Sequence, residues 1–178
     1  MNKEAGKEAF ARALQGRAFE YAVIPAGDIV FSPELLKACE SNVCGNYGKS
    51  WSCPPAIQPL EKQKENITAF SFALVFTTKF DLEDSFDYEG MVEAKKRHSR
   101  LTSEMHERFG KTNPVYGAGA CAICTPCAYP QPCNFPEKTY LPVEAAGINV
   151  TELSRAAGIR YNNGPNTVTY FSIILFNQ

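Results

Sequence analysis

The residues whose types and spacing could do chemistry are the seven cysteines, and they fall into two groups. Cys121, Cys124, Cys127 and Cys133 form the denser one, spaced C-x2-C-x2-C-x5-C in a segment from Thr112 to Pro136 that carries no charged side chain. The first three thiolates span about 20 Å of fully extended chain and lie closer when it turns, so they can converge on one inorganic core. Cys39, Cys44 and Cys53 make the looser group, the last of them within Asn46-Tyr-Gly-Lys-Ser-Trp-Ser-Cys-Pro-Pro55. An odd number cannot all pair as disulfides, and 7 in 178 residues lies below the roughly 8–10 % that marks a disulfide scaffold. Clustered thiols outside such a scaffold point to metal or catalysis.

For the dense group the spacing resembles the ferredoxin run C-x2-C-x2-C-x3-C-P, although the last gap is five residues and Pro132 precedes Cys133 rather than following it. A four-iron cluster on four thiolates is negatively charged, so a segment free of carboxylates suits it. Gly117, Gly119 and the alanines at 118, 120, 122 and 128 let the backbone approach, so that amide N–H groups can donate to sulfur. Prolines at 126, 130, 132 and 136 restrict the loop. Zinc accepts the same ligands, but its sites usually pair two C-x2–4-C knuckles well separated in sequence, and three cysteines at strict x2 intervals favour a cluster.

Cys39, Cys44 and Cys53 offer three ligands, and three readings stand. They could hold a second centre with one open position, Cys53-Pro54 could cross over to a centre shared with the dense group, or one or two could be buried apolar thiols. Tyr47 and Trp51 are expected to shield the site by packing. His98 lies on the apolar stripe of a helix and is expected to be a hydrogen-bonded core residue. His106, eight residues on, points about 80° away and makes a poor chelating partner. Gly117-Ala-Gly-Ala120 lacks the helix and lysine of a phosphate loop.

These loops need elements to hold them. Apolar spacing predicts helices over Lys3–Phe19, from Ser32-Pro33-Glu34 into Cys39, over Leu60–Asn66, over Tyr88–Phe109 ending at Gly110, and over Glu152–Ala157 with Thr151 as cap and Gly158 as stop. Strands are predicted over Phe19–Ile24, Ala69–Thr78, Val115–Tyr116 and Thr167–Phe176, the second and fourth apolar on both faces as covered central strands are. Asn42–Pro59 reads as a loop, and Asn162–Asn166 as a turn. The expected architecture is α/β or α+β: one domain over residues 1–178, a small mixed sheet covered by helices, with two Cys-bearing loops.

With 178 residues, 44 % of them hydrophobic, the chain can bury a substantial core. Its net charge of −1 and lack of a basic stripe argue against nucleic acid, and its apolar runs are too short for a membrane span. Glu93-Ala-Lys-Lys-Arg-His-Ser-Arg100, the one basic cluster, is expected to be the solvated face of a helix. A charged amino terminus without an apolar stretch, and reduced thiols, lead us to expect the cytoplasm.

Cys44 to Pro55, Cys121 to Cys127 and Pro132-Cys-Asn-Phe-Pro-Glu-Lys138 together resemble a family of small prokaryotic proteins described as predicted metal-binding and of unknown function. The likeness extends through Leu141-Pro-Val-Glu-Ala-Ala-Gly-Ile-Asn-Val150 and covers most of the chain. It implies metal binding, with an iron–sulfur centre as the expectation, and supplies no reaction. Three functions follow as expectations: a redox accessory serving a partner protein, an enzyme with an open metal position at Cys39, Cys44 and Cys53, or a structural zinc module.

Overall fold

A computed structural model describes residues 3–177. Its centre is a five-stranded mixed sheet in the order β1-β2-β5-β3-β4, where β1 is Tyr21–Pro25, β2 Phe72–Asp81, β3 Val115–Gly117, β4 Leu141–Pro142 and β5 Thr167–Phe176. The long pair β2 and β5 runs antiparallel in register from Phe72 opposite Phe176 to Asp81 opposite Thr167. Both are central, as their two-faced apolar composition predicts. Five α-helices among the described residues cover the sheet: α1 Lys3–Leu14, α2 Pro33–Glu40, α3 Leu60–Thr68, α4 Tyr88–Phe109 and α5 Val150–Ala157. The result is a small α+β fold.

Alternation along the strands divides the core in two. Ala73, Val75, Phe171, Ile173 and Leu175 pack with Ile67 of α3 and Leu153 of α5 on one face. Leu74, Phe76, Ile174 and Phe176 pack with Phe10 and Leu14 of α1 and Leu101 and Met105 of α4 on the other. His98 pins α4 to the sheet. Fully buried, it meets Thr78 Oγ1 through Nδ1 and Ser172 Oγ through Nε2, each at 2.8 Å, and is the core histidine its helical position predicts.

Several boundaries differ from expectation. α1 stops at Leu14 instead of running to Phe19, and Gly16 just beyond it takes a left-handed φ of 69°. β2 starts at Phe72 and runs to Asp81, because Lys79, Phe80 and Asp81 find partners in Thr169, Val168 and Thr167. α5 begins at Val150, and the side chain of Asn149, not Thr151, caps it by accepting from Glu152 N–H. Ser32 precedes α2 without capping it, since its hydroxyl donates to Glu34 Oε2 at 2.6 Å.

The sheet's last pairing positions the chemistry. β3 and β4 are parallel neighbours, with Tyr116 opposite Leu141. Parallel neighbours need a crossover of a dozen or more residues, usually helical. Here the crossover is the segment 118–140, which holds all four cysteines of the dense group and a single short 3-10 turn at Pro136–Lys138.

Candidate metal centre

Cys121, Cys124, Cys127 and Cys133 line one cavity within that crossover. Ser50 and Trp51 from the other Cys loop and Thr139 complete much of its wall, and no charged residue lines it. Sulfurs in this cavity receive hydrogen-bond donors. The thiol of Cys127 is held below its usual range by the backbone N–H groups of Tyr129 and Trp51, with Ser50 assisting. Burial pushes the Cys121 thiol up, against the N–H of Ile123 and the hydroxyl of Thr139. Thr139 Oγ1 also lies 3.7 Å from Cys133 Sγ. Amide donors anticipated from the Gly- and Ala-rich sequence are present: Ala128 is one of them, while the others come from Ile123, Tyr129 and Trp51 rather than from 117–120.

The looser group gathers separately. Cys39 sits half-buried in the last turn of α2, Cys44 is exposed in the turn beyond, and Cys53 is buried. Asn42, in a left-handed conformation with φ 54°, accepts from Tyr47 N–H at 3.0 Å through its side chain, and Gly48 N–H donates to Pro54 O at 2.9 Å. These bonds fold the loop back on itself. Burial raises the thiols of both Cys39 and Cys53; Cys44 adds to both, and Glu144 adds to Cys39. Electrostatically the three thiols therefore sense one another, and Cys39 also senses the Glu144 carboxylate.

One segment walls both groups. Ser52 Oγ accepts from Cys121 N–H at 2.9 Å, contacts Ser50 Oγ at 3.0 Å and lies 3.9 Å from Cys53 Sγ. Trp51 donates from Nε1 to Gln131 O at 2.8 Å and packs edge-on against Tyr129 with centroids 5.0 Å apart. Trp51 thus lines the four-thiol cavity while packing on Tyr129. His106 meets Glu137 O through Nε2 at 3.1 Å, far in role from His98 and part of neither cysteine group.

As the side chains stand, no three His, Cys, Asp or Glu groups among the described residues gather tightly enough to hold a metal ion. The donor set nonetheless fits a thiolate-bound centre: all four cysteines line one uncharged cavity, and N–H or O–H groups reach the sulfurs of Cys121, Cys127 and Cys133. Ser50, Ser52, Thr139 and Glu144 escape a reading of the sequence. The hydroxyls carry no spacing signal, and Glu144 comes within electrostatic reach of Cys39 only through the fold.

A sequence model of the family described as "Predicted metal-binding protein (DUF2284)" matches residues 22–176, which include both cysteine groups. Searches of curated proteins and of solved structures return no match. No helix among the described residues is long and apolar enough to cross a membrane.

Proposed function

This chain belongs to the family of predicted metal-binding proteins, and we propose that it is a cytoplasmic iron–sulfur protein that exchanges electrons with a partner protein. Cys121, Cys124, Cys127 and Cys133 would hold a four-iron cluster, whose chemistry when bound is one-electron transfer. The observation that carries this reading is the single uncharged cavity onto which all four thiols open. Its walls do three things. They exclude carboxylates that would oppose reduction, direct N–H dipoles at Cys127 and Cys121, and close the site with the indole of Trp51. All seven cysteines are unpaired, which suits a reducing compartment.

A second reading has its own observation. Cys39, Cys44 and Cys53 supply three thiols, Glu144 is in electrostatic reach of Cys39, and Cys44 is open to solvent. A metal held there would keep a position for an exogenous ligand, as catalytic sites do.

Anaerobic purification from iron-replete cells tests both. The expected product is brown and contains iron and acid-labile sulfide in equal amounts, about four of each for one cluster. Replacing Cys124 by Ser should remove most of the colour, whereas Cys44→Ser should leave it and abolish any spectral response to small ligands. Colourless protein rich in zinc and free of sulfide would eliminate the redox function and leave a thiolate zinc site in its place.

A further inference from the structure

The basic cluster on α4 does more than face solvent. Lys95, Lys96 and Arg100 rim a cleft of about 620 Å³ between α4 and the crossover segment, and Lys138 stands among its walls. That volume lies within the range of small-molecule sites. Its lining is mainly apolar, supplied by Val92, Ala120, Ala122, Ile123 and the ring of Tyr140. One carboxylate lines it, Glu104, and that is engaged by Arg17 at 2.6 Å. Lys96 has a loose exposed pair with Glu93 at 3.7 Å. Among the described residues Arg100 and Lys138 have no carboxylate within ion-pair distance.

Cys121 and Ile123 line this cleft and the four-thiol cavity alike, so the two spaces share a wall. Apolar walls beside four cations, of which Lys96 pairs with Glu93 and Lys95 senses Glu144 while Arg100 and Lys138 have no carboxylate partner, match a particular ligand chemistry. We propose that the cleft binds a small amphiphilic oxyanion, a carboxylate or phosphate carried on an apolar body, with the body on Ala120, Ala122 and Ile123 and the anion at Arg100 and Lys138. Such a ligand would lie directly against the Cys121 wall. A concave site of about 620 Å³ with small alanines in its lining favours a small molecule over the flatter contact of an acidic protein.

Binding here needs only protein walls, so it can be tested whatever metal the protein carries, and its failure is distinct from failure of the metal analysis. The probe is 1-anilinonaphthalene-8-sulfonate, an apolar ring system with one anionic group, titrated into the purified full chain. Saturable one-site fluorescence is expected, displaced by benzoate or phenyl phosphate, and the better competitor identifies the natural anion. Arg100→Glu with Lys138→Glu should weaken the probe by about tenfold or more, equivalent to at least 1.4 kcal/mol. Ser103→Trp, which fills the cleft from α4 without changing charge, should abolish saturation while thermal melting stays that of a folded protein. Unsaturable fluorescence, or affinity unchanged in both variants, would overturn the proposal. So would salt-sensitive retention on immobilised polyglutamate without any small-anion binding, which would assign the face to an acidic protein.

Discussion

Ser52 has one hydroxyl and shares it between two loops. It is fully buried, accepts the Cys121 N–H and lies against Cys53 Sγ, so its removal strips a hydrogen bond from the dense group and a neighbour from the looser one. Ser52→Ala leaves that N–H without its acceptor, at a cost of about 1–3 kcal/mol. We expect melting to fall by several degrees and any metal on the dense group to leave faster, as followed by release to a coloured chelator; an unchanged release rate would deny Ser52 its role at Cys121. His98 offers a second residue-scale outcome. Burial lowers its pKa from 6.5 to about 4, so between those values the unfolded chain binds a proton that the folded chain refuses. Stability should therefore be complete above pH 6.5 and fall as pH drops toward 4, by roughly 3 kcal/mol at 1.36 kcal/mol per pH unit. His98→Gln should be less stable at neutral pH and lose that part of the slope in urea titrations across the window. An unchanged slope would place the titration elsewhere.

At the scale of elements, the parallel step from β3 to β4 decides where the thiols go, and Gly117 is its pivot. A Cβ at Gly117 would lie 2.5 Å from Tyr140 Cε2 and 3.0 Å from Thr102 Cγ2, so the strand passes too close to its neighbours for any side chain. Gly117→Ala should cost about 1–3 kcal/mol through overpacking and shift the crossover it launches. Gly158→Ala is the fitting control: it caps α5 at φ 65° with nothing within 4 Å, so only the left-handed backbone is strained, at roughly 1–2 kcal/mol. Equal metal content in both variants would show that β3 does not set the crossover. Sequence periodicity found α4 and β5 at their observed bounds because each presents a long, regular apolar pattern. It missed β4, which is two residues long and exists only as a partner for β3. It placed the α5 cap at Thr151, because Asn149 and Thr151 are both good capping residues and only packing chooses between them.

The molecule as a whole separates a core that folds by burial from the two loops and the end of α2 that carry sulfur. Neither apolar cluster includes a cysteine, and both close over the sheet with residues from helices and strands. That separation explains why the two cysteine groups were legible in spacing while their walls were not: Ser52 meets Cys121 across 69 residues, a proximity only the finished sheet creates. It also sets the response to metal removal. In a zinc finger the metal supplies the folding free energy, and a chelator unfolds the chain. Here about two dozen hydrophobic side chains are buried independently of the thiols, so stripping the metal should free segments 41–59 and 118–140 while the sheet and α4 persist. Limited proteolysis of chelated protein should cut within those two segments first, and far-UV circular dichroism should change little. Cooperative loss of helical signal on chelation would mean that the sulfurs hold the core together, and that the sheet is not the independent scaffold its packing indicates.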